Sequence, residues 1–507
     1  MIACLGVMAV LCIACASDEE ATEPSVSDGT EGATVPSVLG ETEDATEPSA
    51  SDETDDSIFG PSIARNDHLG AGAAAAMHND SGSSDTTGLP GPGTGEVDIS
   101  AIELGAVCPA ILIGSDGFVV TLCTRLADAR PVVHLLDPAD GSSLTELALE
   151  RGNLFSGVYG YLDGADQLVM VDGSNDLLRV AHQNDGSGWS LEVTERTPLD
   201  DALMEGDSVA SLTPGYRGEV WFATNEATVG YVDTVTGTVE AFDLGKGERV
   251  ANSISTSPEG TAVATDHALY LVTADDGGQP QVRWRVPYDR GPARKPGQLS
   301  WGTGSSPTFF GPTTGAEFVA IVDNADPEVH LLVVAAAGDN AGEEICSPVV
   351  LGEGGPGSEN SPIGAGRTVI VASTYGHLYP ALPEYAGPSV PESAPFQGGM
   401  TRVDVRADAS GCEVVWESPV RSAAVPKLST ADDTIVTMVR ETPDGAVDRT
   451  DDTYSYAVIS AHSGELLATH ALGVDAGDPL QLAGTTGPGR VLYQGTFGPI
   501  MRIAAVQ

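Results

Sequence analysis

Asp323, Asn324 and Asp326 fall in the run "DNADPE" (residues 323–328), and Glu359 and Asn360 stand just ahead of Pro362 in "SENSP". Carboxylate and amide oxygens are the ligand types of a hard divalent cation such as Ca²⁺, which accepts mixed oxygen donors in flexible geometry. Held by Asp323, Asn324, Glu359 and Asn360, such a cation could polarise a carbonyl or activate water. Nearby in the same stretch are Ser305 and Ser306 before Pro307, Tyr375 and His377 in "STYGH", and Lys427 directly after Pro426. Lys427 could bind an oxyanion and His377 could carry a proton. With Asp326, these hydroxyl, imidazole and ammonium groups are the candidate ligand contacts. A structural account of the same residues competes: Asp323 and Asn324 would satisfy turn amides with their own side chains, and Glu359 would pair with Lys427.

What could bring these residues together is a repeat. From residue 96 onward, short Val/Ile/Leu/Thr runs alternate with turns, and the 61 Gly and 33 Pro of the chain are spread among them. One unit shows its parts plainly, "SVASLTPGY", "GEVWFATNE", "TVGYVDTVTG" and "TVEAFDLG", four strands that would form one antiparallel sheet. Eight units open near Pro109, Val158, Ser208, Ser253, Pro307, Pro362, Pro426 and Pro479. Five of these openings carry a proline, a residue that a strand accepts at its first position because nothing there needs its N–H. Four-stranded sheets repeated radially predict an all-β fold, a β-propeller of eight four-stranded blades, with seven as the alternative. The last unit, ending in "PIMRIAAVQ", is one strand short, and "EVDISAIEL" (residues 96–104) is a spare strand. The spare strand is expected to complete the last blade and so close the ring. In that geometry the link between second and third strands lies on the same face as the proline openings. The turn at residues 323–328, the residues before Pro307 and Pro362, the Tyr375/His377 link and Lys427 would then share one rim.

By these features the chain resembles secreted bacterial propellers of the PQQ-like and gluconolactonase-like type. The likeness is most specific over residues 301–427, in "WGTGSSPTFFG", "AIVDNADPEVHLLVV", "SENSPIGAGRTVIVASTYGH" and "AVPKLST". It implies a propeller, and the gluconolactonase side of it implies a metal-dependent hydrolase or lactonase built around Glu359. The quinone side fits poorly: no two cysteines are adjacent, and Trp189, Trp221, Trp284, Trp301 and Trp416 are scattered singly. A PQQ cofactor is not expected.

Composition narrows the partners. With 23 basic and 73 acidic residues the net charge is −50, which repels nucleic acid and anionic membrane surfaces. Residues 1–15 read as a signal peptide ending in a lipobox-like "CIAC", with Cys15 as the residue to be lipidated. Residues 16–95 are acidic and rich in Ser, Thr and Pro, and contain the duplicated "ATEPSVSD" and "ATEPSASD". That composition predicts a disordered tether, followed by the propeller over residues 96–507. Of the cysteines beyond the signal, Cys346 and Cys412 begin fourth strands of neighbouring blades and are expected to bond. Cys108 and Cys123 would bond if the register permits, an even count that suits an exported domain. No phosphate loop, zinc-type spacing or nucleophile elbow is present. The expected protein is therefore an extracytoplasmic, lipid-anchored or secreted monomer of the cell envelope. It would bind a small molecule, glycan or protein, with the hydrolase as the alternative.

Overall fold

The computed structural model describes residues 59–72, 74–152, 159–352, 355–441, 452–473 and 476–506. Eight antiparallel sheets follow one another, each starting from a short buried strand: Ala106–Ile113, Gly160–Leu162, Val209–Pro214, Ser255–Ser257, Thr308–Phe310, Ile363–Ala365, Lys427–Ser429 and Thr485–Gly487, here blades one to eight. These first strands touch their neighbours in sequence order through blades one to six, and the first strand of blade eight touches that of blade one. The chain is therefore a ring. Hydroxyls on the first strands stitch blade to blade: Thr256 donates to the Pro214 carbonyl (2.6 Å), Ser255 to Pro307 (2.5 Å), Thr308 to Pro362 (2.9 Å) and Thr485 to Ile111 (2.6 Å).

Each blade packs between two others, so its middle strands are covered on both faces. This is why Phe318–Val322 reads as an unbroken apolar run, and why every residue of Pro131–Leu136, His134 included, is buried. The outer strands, such as Ser143–Ala148, are more exposed, with Leu144 and Leu147 only half-buried. The core lies between blades, for instance where Val436, Met438 and Val458 of blade seven meet Leu492, Met501 and Ile503 of blade eight. Each such side chain contributes roughly 1.5–3 kcal/mol by leaving water.

The ring closes as the spare strand predicts. Val97–Ile102 pairs antiparallel with Ile500–Ala505, from Val97 opposite Ala505 to Ile102 opposite Ile500. Cys346 is bonded to Cys412, joining the outer strands of blades five and six, and Cys108 to Cys123 within blade one. Two details differ from the expected units: Pro109 lies inside Ala106–Ile113, where the register shifts, instead of at its mouth, and blade eight opens late. Pro479 lies in a turn, its carbonyl accepting the Leu482 N–H (2.9 Å), and the first strand of blade eight starts only at Thr485. The opening expected at Val158 lies outside the described residues.

The larger correction concerns residues 59–95, expected as part of a disordered tether. Residues 74–87 of this stretch line the channel and pair with the first strands, and residues 88–95 lead out to the closing strand. Carbonyls of Ala74, Ala75, Ser81, Gly82, Ser84 and Asp85 accept the N–H groups of Ile113, Leu162, Thr256, Phe309, Gly364 and Leu428, at 2.6–3.0 Å. Asn66 donates to the Pro214 carbonyl (3.0 Å), and Thr86–Thr87 adds a parallel strand beside Lys427–Ser429. A first strand has a free edge toward the channel whose N–H groups must be satisfied. This segment supplies acceptors to six of the eight blades and, through Asn66, a donor to blade three. Composition misled because the segment is held by backbone bonds and small polar side chains, not by large apolar ones. Residues 16–58, and the lipidation expected at Cys15, lie outside the described residues.

Candidate functional site

Two long excursions cover one end of the ring, residues 288–307 between Pro280–Pro287 and Thr308–Phe310, and residues 373–399 between Thr368–Ala372 and Met400–Val405. They are tied together. Val390 donates its N–H to the Arg294 carbonyl (2.8 Å), Arg294 Nε to the Gly387 carbonyl (3.1 Å), and Thr374 Oγ1 to the Gly297 carbonyl (2.7 Å). Gly297 has φ +89°, and a Cβ there would come within 1.9 Å of the Thr374 carbonyl oxygen, so this crossing requires glycine.

Beneath the excursions, on the ring axis, is a cavity of about 110 Å³. Its floor is Met77 and His78 of the channel segment, and its walls come from the openings of all blades but the third. Two open cavities of about 620 and 420 Å³ flank it, both lined by Arg249 and Tyr385, and the smaller shares Ala251 with the axial one.

The axial cavity holds Glu359. The side chain keeps part of its surface toward the cavity, yet both carboxylate oxygens are buried; the Leu299 N–H and the Asn252 amide stand near them without well-formed hydrogen-bond geometry, and among the described residues no cation is paired with them. Burial pushes its carboxyl up to about 8, against the weaker opposing pull of the nearby Leu299 N–H, the Arg294 guanidinium and the Asn252 amide. Tyr159, Tyr379 and Tyr385 feel the same group. Burial first, then the Glu359 charge, raises Tyr159 and Tyr379 well above the usual phenol range and pushes Tyr385 up to about 12. The Tyr379 hydroxyl is itself buried without a partner.

Of the residues singled out in the sequence, the structure places Glu359 and Ser306 on this cavity. Ser306 accepts from Ser253 Oγ at 2.6 Å. Ser305 is fully buried and accepts the Val322 N–H (3.2 Å). Asp323 is occupied by its own turn, accepting the N–H groups of Ala325 (3.2 Å) and His330 (2.7 Å) and the His330 ring (2.9 Å). Asn324 donates to the Arg290 and Ala293 carbonyls (2.8 and 3.0 Å), and Asn360 to Gln481 Oε1 (3.0 Å). Asp326 is exposed, Tyr375 half-buried against Gly355, and His377 buried with its ring edge-on to Tyr379 at 4.6 Å. The turn and the blade-six opening do share a face, because Lys295 Nζ bridges the Ala325 and Pro356 carbonyls (2.5 and 2.8 Å).

Lys427 is a correction. It faces the channel rather than an accessible rim, 2% exposed, with Nζ on Asp85 Oδ1 (2.5 Å), Asn79 Oδ1 (2.9 Å) and the Met77 carbonyl (2.7 Å). Asp85 also receives His78 Nδ1 (2.9 Å) and the Ser361 hydroxyl. Burial alone would raise its carboxyl, but His78 and Lys427 overcome this and hold it below the usual carboxylate range. Neither the expected oxyanion site nor the Glu359–Lys427 pair is formed. Of the expected metal set, Glu359, Asn324 and Asn360 keep buried oxygens without a well-formed hydrogen bond, while Asp323 is taken up by its turn. Among the described residues no three His, Cys, Asp or Glu side chains are grouped to hold a metal ion.

Sequence reasoning missed Tyr159, Asn252, His78, Asp85, Arg294, Tyr379 and Tyr385. A usable signal exists for two of them: "YGHLYPALPEY" is a proline- and tyrosine-rich stretch in a link far longer than a hairpin turn. Nothing local marks His78 or Asp85.

No family model matches the chain. An uncharacterised protein of Archaeoglobus fulgidus is 27% identical over 136 residues, 26% of each chain, so this chain spans about a quarter of that relative's length. Among solved structures, a quinohemoprotein alcohol dehydrogenase from Comamonas testosteroni superposes with a TM-score of 0.50 at 12% identity, covering 88% of this chain and 82% of that one. A streptogramin B lyase (TM-score 0.39, 12% identity, 80% and 97% covered) and BamB from Moraxella catarrhalis (TM-score 0.40, 11%, 68% and 86%) are also similar. The likeness is one of fold, and by that fold the chain is a β-propeller of eight four-stranded blades.

Proposed function

We propose that this protein is an extracytoplasmic binding module that takes a small organic ligand at the covered mouth of its central channel. The observation carrying this reading is Glu359, a buried carboxyl with no ion-pair partner and no well-formed hydrogen bond, facing a cavity that nearly every blade helps to build. Buried polar groups are ordinarily satisfied, and a structural role would have supplied a partner, as it does for Asp85. The flanking cavities, with Arg249, Tyr385 and Trp301 on their walls, give room for the remainder of a ligand. Two disulfides support an exported protein, and lipidation at Cys15 would tether it to the cell envelope. A bound small molecule, rather than a glycan chain or a protein surface, suits a small axial cavity of about 110 Å³. The test is a melting screen of the full-length chain against small polar and amphiphilic compounds, repeated with Ala251→Leu, which narrows the junction between the cavities. Compounds should stabilise the wild type and not the variant. If none does, or if every hit stabilises both equally, the site is elsewhere.

A further inference from the structure

Glu359 has no paired counter-ion: Arg294 acts on its carboxyl but is committed elsewhere, and Lys427 is tied to the channel floor. Arg294 is engaged through Nε with the Gly387 carbonyl and through Nη1 with the Gln298 carbonyl (2.7 Å). Lys427 is engaged with Asp85, Asn79 and Met77. Both carboxylate oxygens of Glu359 and the Tyr379 hydroxyl line one small cavity without a well-formed hydrogen bond. The rest of the wall is largely apolar, with Met77, Leu299, Val425 and Leu480 among its residues. One anionic acceptor, one neutral acceptor and an apolar wall are complementary to a single cationic donor carrying a hydrocarbon group. A multivalent metal ion would find only one carboxylate. A cavity of about 110 Å³ is somewhat smaller than the roughly 150 Å³ that holds benzene, which limits the hydrocarbon to a few carbons.

We propose that the axial cavity binds the ammonium group of a short alkylamine, with the Glu359 carboxylate as counter-ion and the Tyr379 hydroxyl as a second acceptor. The proposal rests on the cavity being the ligand site and names the chemistry it selects. Binding couples to protons. With its carboxyl pushed up to about 8, Glu359 is mostly neutral at neutral pH and must ionise to hold the amine. The amine stays protonated, so affinity rises by about tenfold per pH unit below that point and levels off above it. The groups facing Glu359 are Arg294, Tyr159, Tyr379 and Tyr385, with Asn252 and the Leu299 N–H, while the floor carries His78 on Asp85. The three phenols are all raised, so they stay neutral across this range.

The experiment is calorimetric titration of the full-length chain with n-butylammonium chloride and, separately, with 1-butanol, at pH values on either side of the Glu359 transition. Butylammonium should bind at least tenfold more tightly than butanol, more tightly at the higher pH, and with release of a proton at the lower one. Glu359→Gln should remove both the preference and its pH dependence. That control also separates Glu359 from His78. Should Glu359→Gln not fold, Tyr379→Phe must weaken butylammonium a few-fold and leave butanol unchanged. Equal binding of the two probes, no pH dependence, or calcium chloride binding in place of the amine overturns the proposal. If butylammonium fails while screening hits still discriminate Ala251→Leu from wild type, the ammonium inference falls alone. If those hits are absent too, the ligand site falls with it.

Discussion

Asp85 and Glu359 are two buried carboxyls on the same channel with opposite surroundings. Asp85 carries Lys427, His78 and Ser361, and its carboxyl is held below the usual range. Glu359 lines a cavity with no ion-pair partner and is pushed up to about 8. The difference separates construction from function along one axis. At the floor, charge is matched within the chain and ties the channel segment to blades six and seven. At the mouth it is left unmatched, which costs stability unless something else supplies the match.

The sharpest way to break this contrast is to unmatch the floor. Lys427→Ala would leave Asp85 fully buried without its ammonium partner, and removing one member of a buried pair costs roughly 3–5 kcal/mol. A large loss of melting temperature is expected, together with protease cleavage inside residues 59–95, since Lys427 also holds Met77 and Asn79. If the variant melts like the wild type, the channel segment is not anchored by this pair.

The second prediction exploits opposite pH signs. The carboxyl of Asp85 is lowered on folding, so its contribution is present above its unfolded value of about 3.9 and is lost as pH falls through the folded value. The carboxyl of Glu359 is raised on folding. The folded state then binds the extra proton between about 4.3 and about 8, and stability falls as pH rises across that window, by up to a few kcal/mol. Glu359→Gln should remove this slope, leaving melting little changed near the acid end and raised at the alkaline end. A wild type whose melting is flat over the window would mean that Glu359 is not buried as described.

These contrasts also explain what was legible in the sequence. Blade repetition and closure by Val97–Ile102 could be read because they rest on strand pattern and strand count, which are properties of the chain order. Glu359 was found by its position ahead of a blade-opening proline. Its cavity neighbours were not, since Tyr159, Asn252 and Tyr379 come from three other segments that only the ring brings together. The turn at residues 323–328 answered to local chemistry: Asp323 caps its own turn amides, as short acidic side chains do. The channel segment was illegible because low apolar content argues for disorder only when a chain must build its own core. Here Asp85, Ser83 and Ser84 enter a core that the blades have already made.

A smaller effect sharpens the comparison at hydroxyl level. Ser361→Ala removes a bond to Asp85 inside the matched floor and should cost about 1–2 kcal/mol. Tyr379→Phe removes a hydroxyl that has no partner and should be neutral or slightly stabilising without ligand. Melting curves of the two variants side by side decide it, and a greater loss from Tyr379→Phe would reverse the assignment of floor and mouth.

The smallest effect is expected at Tyr385, which stands between the two flanking cavities. Its hydroxyl donates to Asn225 Oδ1 (3.1 Å), and Arg249 lies over its ring at 5.2 Å while pairing with Glu226 (2.6 Å). In Tyr385→Phe the ring and the arginine both remain, and only a partly exposed hydrogen bond is lost, about 0.5–1 kcal/mol. Tyr385→Ala also removes the ring, joining the two cavities and freeing Arg249. Because this end of the molecule is held by the backbone crossing of residues 288–307 and 373–399, even that change should shift melting less than Lys427→Ala does. It should nevertheless alter which compounds stabilise the protein. A mouth that tolerates substitution in its walls while changing its selectivity is what a binding surface built on a rigid ring requires. A loss of folding from Tyr385→Ala would instead make the mouth as structural as the floor.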